Sequence, residues 1–232
     1  FWGGGALISQ IFDITVNNIF LRIMHLIGGF SPTIASYISL KRSNKVKNFK
    51  EWLKEIFDIK HNIWTYALVI LFVLIYYVLG CAINGYEMGA PIFMLIIILP
   101  MMLFGGGNEE VGWRMILQPE LEKNFGFNIA TLFTAIIWWL WHLPIFFIKG
   151  TANVNMNYFL FGIMCLTLCY ALATIRKVSK GVFPCILLHC LINGLSAIFV
   201  FNYSPLSCVI SLIVTILVSM LILNINKRYI RE

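Results

Sequence analysis

Long apolar segments separated by short polar links dominate the hydropathy pattern of this chain. Six of them are long enough to cross the hydrocarbon core of a bilayer as helices, which takes about 20 residues. These segments cover residues 63–83, 91–118, 128–148, 158–175, 182–201 and 206–225. A β-barrel would instead need short segments of alternating polarity, and the sequence contains none. The pattern predicts an all-α fold, a polytopic transmembrane helical bundle of about seven or eight membrane helices once the N-terminal region is added.

The N-terminal region has a less regular pattern. Residues 6–27 are apolar but carry Asp13, Asn17, Asn18 and Arg22. They predict either a poor spanning helix or a helix at the membrane interface. The run Gly-Gly-Phe-Ser-Pro at 28–32 predicts a break, because Gly and Pro disfavour helix interiors. Residues 33–40 then form the end of a second span.

The segment 41–60 changes character, with seven basic and three acidic residues. Within it Phe49, Trp52, Leu53, Ile56 and Phe57 recur at helical spacing. This combination predicts an amphipathic helix on the cytoplasmic surface, where it anchors the protein.

Charge and composition support one membrane domain. Only 12% of the 232 residues are charged, whereas soluble domains contain about 25%. The net charge of +7 could indicate nucleic acid as a partner. However, the basic loops all fall on one side of the counted topology, apart from a lone Lys149, and this is the positive-inside pattern. We therefore expect a single integral-membrane domain over 1–232, a cytoplasmic C-terminus with Lys227, Arg228 and Arg231, and no nucleic-acid partner.

The six cysteines lie in or against apolar segments. They form neither a CxxC pair nor the spacing of a secreted disulfide framework. We expect them to be small core residues. The Gly-rich opening also lacks the basic region of a signal peptide, so we expect no cleavable signal there.

Three polar motifs interrupt this apolar background. They are Glu109-Glu110-Val111-Gly112-Trp113-Arg114, Trp138-Trp139-Leu140-Trp141-His142 and His189-Cys190-Leu191-Ile192-Asn193. If helix continues through the three glycines at 105–107, a rise of about 1.5 Å per residue puts Glu109, His142 and His189 roughly 15, 21 and 10 Å into their spans. Ionisable groups at such depth are costly and usually functional, so the motifs are expected to meet.

The spacing inside each motif indicates roles. Glu110 and Arg114 are four residues apart and can form an ion pair on one helix face. Glu109 points about 100° away and lacks that partner, so we expect Glu109, but not Glu110, to face His142 and His189. An unpaired carboxylate in an apolar setting suits a general base near neutral pH, and His142 could hold a water with it. His189 and Asn193 also share a face and are plausible donors to an oxyanion.

These motifs resemble the CAAX protease and bacteriocin-processing membrane family, also called the Abi family. Its motifs EExxxR, FxxxH and HxxxN correspond to Glu109-Glu110…Arg114, Trp138…His142 and His189…Asn193. The resemblance covers residues 90–200, and Trp138 replaces the usual Phe. It implies an eight-helix fold and peptide-bond hydrolysis in the membrane. By resemblance, Glu109 activates a water positioned by His142, His189 and Asn193 stabilise the oxyanion, and Glu110 and Arg114 support them.

The sequence leaves the role of a metal open. Glu109, His142 and His189 would make a His₂Glu zinc set of the kind that metalloproteases use. Against this, no HExxH motif is present, and Asn193 would be a poor zinc ligand. We expect a site that needs no cofactor, with zinc as the alternative.

The leading hypothesis is an intramembrane endopeptidase that cleaves a peptide or protein tail from the cytoplasmic side. A composition rich in Ile, Lys and Asn indicates an AT-rich bacterial genome. We therefore expect a bacterial cell membrane and a peptide precursor, such as a bacteriocin or signal peptide, rather than a prenylated substrate. The alternative is a non-enzymatic membrane protein for bacteriocin self-immunity or scaffolding. A transporter that uses a glutamate proton relay is a third hypothesis, although no broken-helix repeat is visible.

Overall fold

A computed structural model describes the backbone of residues 1–231 and the side chains of residues 1–226. Glu232 and the side chains of Lys227, Arg228 and Arg231, on which the cytoplasmic C-terminus was predicted, lie outside the described part. The helices are α1 (Trp2–Ile11), α2 (Ile19–Arg42), α3 (Phe49–Ile56), α4 (Ile63–Asn84), α5 (Leu95–Met102), α6 (Glu110–Gly112), α7 (Gln118–His142), α8 (Tyr158–Ser179), α9 (Phe183–Ser196) and α10 (Pro205–Arg231).

The remaining regular structure is small. Short 3₁₀ helices cover Ile92–Met94, Gly107–Glu109, Leu143–Phe147 and Ala152–Asn155, and a π-helical turn covers Trp113–Leu117. Strands β1 (Glu87–Met88) and β2 (Phe199–Val200) pair antiparallel. Five helical segments are long and apolar enough to cross a membrane, and Phe183–Leu195 is a shorter apolar helix. The predicted all-α membrane bundle is confirmed.

The N-terminal break lies elsewhere than predicted. The chain turns between Ile11 and Ile19, while α2 continues through residues 28–32 as one 24-residue helix. Pro32 removes the backbone N–H that would bond the carbonyl of Gly28 in a helix. The hydroxyl of Ser31 donates to that carbonyl at 2.7 Å instead. A side chain thus satisfies the freed group, which is how membrane helices tolerate proline.

Ion pairs bring the basic loops together at one end of the bundle. Lys45 contacts Glu120 at 2.9 Å and Lys177 contacts Glu122 at 2.5 Å, so the loop after α2 and the last turn of α8 meet the start of α7. The exceptional Lys149 pairs with Asp13, and its hydrogen bond and charge lower the pKa of the Asp13 carboxyl. The grouping of charge agrees with the predicted topology, and which compartment each end faces stays a prediction.

The predicted amphipathic helix is present as α3. The side chain of Asn48 caps it by accepting from the backbone N–H of Glu51 at 2.9 Å. Trp52 and Ile56 are buried, and the indole of Trp52 donates to the hydroxyl of Ser36 at 3.1 Å. The apolar stripe therefore packs on α2, while the lysines of α3 face outward.

The glycines at 105–107 end the helix that was assumed to run through them. Helix α5 stops at Met102, and Gly106 has φ +135°, a value that favours glycine. A Cβ on Gly106 would lie 2.5 Å from Asn193 Nδ2, and one on Gly107 would lie 2.3 Å from Cys190 Sγ. The break therefore lets α9 approach the chain just before Glu109.

Helix α7 also contains a break, which lies where the sequence predicts the link between the segments 91–118 and 128–148. Gly126 has φ 72° and ψ 175°, which kinks the helix between the inward-going segment and the predicted span from 128. The chain thus reverses direction at this end of the bundle.

The cysteines occupy the positions that their apolar surroundings predict. All six are free thiols, and five of them are buried. Cys169 and Cys185 belong to the main apolar core, which α4, α7, α8 and α9 build together. This core holds the helices that carry the three motifs.

Candidate active site

A cavity lies between helices α2, α7, α8 and α9, and the predicted residues converge on it. Its volume is about 750 Å³, within the range of roughly 300–1,000 Å³ that is common for ligand sites. Glu109, His142, His189 and Asn193 line it. The structure thus brings together groups that are separated by up to 84 residues in the chain.

Glu109 reaches the cavity from the 3₁₀ turn that follows the glycine break. Its side chain is buried, and its Oε2 accepts a hydrogen bond from the indole Nε1 of Trp138 at 2.8 Å. The same oxygen lies 3.9 Å from Nε2 of His142. That separation is too long for a direct hydrogen bond, so Glu109 and His142 face each other across a gap.

His142 is the last residue of α7 and is fixed by its own helix. Its Nδ1 lies 2.8 Å from the carbonyl oxygen of Trp138. Because a carbonyl oxygen can only accept, Nδ1 must carry a proton, and in the neutral ring Nε2 is then an acceptor. Rings of Trp2, Trp141 and Phe161 lie 5.5, 4.8 and 5.1 Å from the imidazole centroid. The ring is therefore held with Nε2 towards Glu109.

Glu110 belongs to a different environment and has two partners. Its Oε2 accepts from Nε of Arg114 at 2.8 Å, and its Oε1 accepts from Nδ1 of His189 at 2.9 Å. Both Glu110 and Arg114 are completely buried. The ion pair agrees with the predicted i,i+4 geometry. The expectation that Glu110 would face away from His189 is wrong. The glycine break brings α9 close enough for His189 to contact Glu110.

The contacts of Arg114 continue along the same helix face. Gln118 accepts from Nη1 of Arg114 at 3.2 Å and donates to Glu122 at 3.0 Å and to Thr131 at 3.1 Å. Nη2 of Arg114 lies 3.1 Å from the Cys169 sulfur. We call the buried Glu110, Arg114 and Gln118, together with the half-buried Glu122 at its end, the buried ladder. The sequence analysis did not predict Gln118 and Glu122 as members, although the repeated spacing of four residues from 110 to 122 is a visible signal.

His189 and Asn193 present one face of α9 to the cavity, as their spacing predicts. With Nδ1 bonded to Glu110, Nε2 of His189 points to Gly106, where an added Cβ would lie only 2.9 Å away. The amide Nδ2 of Asn193 donates to the carbonyl of Gly105 at 3.0 Å. One N–H of that amide is used, and the second is available to another acceptor.

The zinc set of Glu109, His142 and His189 stays a prediction. Within the described part of the chain, no three His, Cys, Asp or Glu side chains are close enough together to form a ready metal site. The Nδ1 atoms of His142 and His189 are bonded to the carbonyl of Trp138 and to Glu110, so Nε2 is the atom of each ring that could bind a metal.

Two residues outside the motifs also line the cavity. His25 lies within the continuous helix α2, and its ring lies against the cavity with Nδ1 buried and unpartnered. Trp2 donates from Nε1 to the carbonyl of His25 at 2.8 Å. Gly28 makes room for this indole, because a Cβ there would lie 2.2 Å from Trp2 Cδ1. The irregular N-terminal pattern gave no signal for either residue.

The fold and the cavity define the class: an all-α integral membrane protein that encloses a polar site among its helices. The type II CAAX prenyl endopeptidase Rce1-like family matches residues 91–195, which include all three motifs. A CAAX prenyl protease 2 of Methanococcus maripaludis is 25% identical over 217 residues, covering 83% of this chain and 77% of that protein. Over the region that carries the three motifs, the chain is thus similar to the CAAX protease family.

Proposed function

We propose that this protein is an intramembrane endopeptidase in which Glu109 and His142 activate a water molecule. The observation that carries the proposal is the gap of 3.9 Å between Glu109 Oε2 and His142 Nε2 in the wall of the cavity. A water in that gap can lie within about 2.8 Å of both atoms. Both atoms are acceptors when Glu109 is ionised and His142 is neutral, so the water donates one hydrogen bond to each of them. Its lone pairs then face the substrate.

The chemical step follows from this placement. The water oxygen attacks the scissile carbonyl carbon while Glu109 takes a proton as general base. The carbonyl π bond breaks, and its electron pair moves to the oxygen to give a tetrahedral oxyanion. Collapse of this intermediate breaks the C–N bond, and the proton on Glu109 passes to the leaving amine. Such general acid–base catalysis contributes about 10²- to 10⁴-fold to a rate.

His189 and Asn193 are the proposed donors to the oxyanion. His189 can donate from Nε2 only when the imidazole is protonated, because its Nδ1–H already points to Glu110. The carboxylate of Glu110 faces this ring and compensates its positive charge. The second N–H of Asn193 completes the pair of donors. Preorganised donors of this kind are worth about 10²- to 10³-fold in kcat each.

We propose hydrolysis without a resident metal. The support is that Glu109 Oε2 already accepts from the indole of Trp138, and that the described side chains do not bring three metal ligands together. Incubation with a zinc chelator should leave cleavage unchanged. Loss of cleavage that returns on adding Zn²⁺ would replace this proposal by the His₂Glu alternative.

The substrate that we propose is the C-terminal tail of a membrane-associated protein or peptide. The matched family and the Methanococcus maripaludis relative are named for CAAX prenyl substrates. In these substrates the prenylated cysteine is the fourth residue from the C-terminus, so three residues follow it. A bilayer location would bring such a tail to the cavity. Processing of an unprenylated peptide precursor, the outcome favoured by composition, is the second arm of the test.

The experiment compares cleavage of fluorogenic peptides by the purified full chain in lipid nanodiscs. The panel contains farnesylated CAAX peptides and the same peptides with a free cysteine. We expect cleavage by the parent and none by Glu109→Gln. Cleavage limited to farnesylated peptides supports the prenylated substrate, and equal cleavage of both sets supports a peptide precursor. Cleavage that persists in Glu109→Gln would remove Glu109 as the base.

A further inference from the structure

Trp138 contacts both members of the proposed water-activating pair through different atoms. Its indole N–H donates to Glu109 Oε2 at 2.8 Å, and its backbone carbonyl oxygen accepts from His142 Nδ1 at 2.8 Å. The side chain is only 3% exposed. A single residue thus lies at the junction between the carboxylate and the imidazole.

The bond to Glu109 has a definite direction. An indole N–H can donate but cannot accept, so it binds the carboxylate and cannot compete for the proton that a base removes. The oxygen that it holds is the one that lies 3.9 Å from His142 Nε2. Without this donor, rotation about the last side-chain bonds of Glu109 could turn either oxygen, or neither, towards the histidine.

The ring of Trp138 is itself fixed from two sides. It packs edge-on against His142 with centroids 5.7 Å apart and against His189 with centroids 5.3 Å apart. The spacing of four residues places Trp138 and His142 on one face of α7, so the same helix turn supplies the indole and the imidazole. The N–H therefore points at Glu109 from a rigid element.

We propose that Trp138 is a positioning residue, whose indole N–H orients the Glu109 carboxylate so that Oε2 faces His142. This inference rests on the proposed function for its effect on rate. Its structural part, the hydrogen bond between Trp138 and an ionised Glu109, is independent of any substrate. The two parts can therefore be tested separately.

The first experiment observes the hydrogen bond directly. The chain contains seven tryptophans, and ¹⁵N labelling of their indoles in the full-length protein gives one N–H signal for each. The Trp138 signal is the one lost in Trp138→Phe. We expect Glu109→Gln to move this signal more than any other indole signal, because the charged acceptor is replaced by a neutral one. We expect Glu110→Gln to leave it nearly in place.

An indole signal that ignores Glu109→Gln, or that responds more to Glu110→Gln, would overturn the assignment. The remaining signals show whether each variant keeps the fold. If Trp138→Phe does not fold, assignment can instead proceed by replacing the other tryptophans one at a time.

The second experiment separates positioning from packing. Phe fills most of the space of Trp but has no N–H donor. With the fluorogenic peptide panel, Trp138→Phe should lower kcat by up to about 100-fold, the cost of misplacing a reacting group by about 1 Å. KM should stay within about twofold, because substrate binding is not the step affected.

The matched control is Trp139→Phe on the same helix. Its indole donates to the carbonyl of Tyr158 at 2.9 Å, away from Glu109. This variant should keep the kcat of the parent within about twofold. Equal losses of kcat in both variants, or a rise in KM alone in Trp138→Phe, would overturn the positioning role. A parent protein that cleaves no peptide would overturn the proposed function, while the NMR comparison would still decide whether Trp138 holds Glu109.

Discussion

Glu109 and Glu110 are neighbours in the chain, yet they lie in opposite environments. Glu110 is fully buried and bonded to Arg114 and His189, and the buried ladder extends this network to Glu122. Glu109 faces a cavity and has one hydrogen-bond donor, Trp138. A carboxylate whose two oxygens both accept hydrogen bonds orients its neighbours and stabilises the fold, whereas a carboxylate with free acceptor positions is available to react. Two adjacent residues therefore divide the supporting role from the proposed chemical one.

Arg114→Met should have the largest effect, because it removes the cation at the centre of the buried ladder. Glu110 and Gln118 would lose their shared partner, and breaking a buried ion pair costs about 3–5 kcal/mol. We expect a large fall in folded yield and in the thermal unfolding midpoint in nanodiscs. The control is Lys45→Ala at an exposed ion pair, where about 0–1 kcal/mol is usual. An Arg114→Met protein as stable as this control would contradict the importance of the ladder.

Glu109→Gln tests the proposed chemical role of the carboxylate that faces the cavity. Cleavage should fall by roughly 10³-fold, since an amide cannot act as a general base. The amide oxygen can still accept from Trp138, so the unfolding midpoint should stay close to that of the parent. Peptide cleavage and thermal unfolding measured on the same preparation check this. A variant that loses stability as strongly as Arg114→Met would show that both glutamates are structural.

Gln118→Leu tests whether the ladder acts as a unit. Leu removes an amide that bonds Arg114, Glu122 and Thr131, leaving buried polar atoms unpaired at a cost of about 1–3 kcal/mol. We expect a lower unfolding midpoint and a moderate loss of kcat through Arg114 and Glu110. Thr131→Val, which removes only one of these contacts, should have a smaller effect. An additive double variant of Gln118→Leu and Arg114→Met would indicate that the two residues do not cooperate.

Gly28→Ala tests the packing of Trp2 in the cavity wall and should have the smallest effect on the unfolding midpoint. The new Cβ would meet the indole of Trp2, so Trp2 and α1 must shift, at a cost of about 1–3 kcal/mol. Gly29→Ala is the matched control, because its Cβ would lie at an ordinary 3.8 Å from Trp2. Thermal unfolding of Gly28→Ala with Trp2→Ala should show the two changes to be non-additive. Additive losses would mean that Gly28 acts through another contact.

Local spacing predicted much of this fold and part of its site. The apolar segments from residue 63 onward correspond to α4, the second part of α7, α8, α9 and α10, because a spanning helix needs a run of apolar residues wherever it lies. The segment 91–118 is the exception, since the glycines at 105–107 divide it. The pair Glu110–Arg114 also follows from spacing alone, since four residues make one helical turn. Pro32 shows the limit of such rules. Its expected break is absent because the neighbouring Ser31 replaces the missing donor.

The hydrophobic pattern and the motif spacing were enough to predict an all-α membrane bundle and the polar residues that meet in it. Their partners, Glu110 with His189 and Glu109 with Trp138, depend on how the helices pack together. These contacts join residues 79 and 29 positions apart. Helical periodicity specifies which residues share a face of one helix, but not the rotation or the approach of two helices. That approach depends on packing at Gly106 and Gly107, where the absence of side chains lets α9 reach the glutamates.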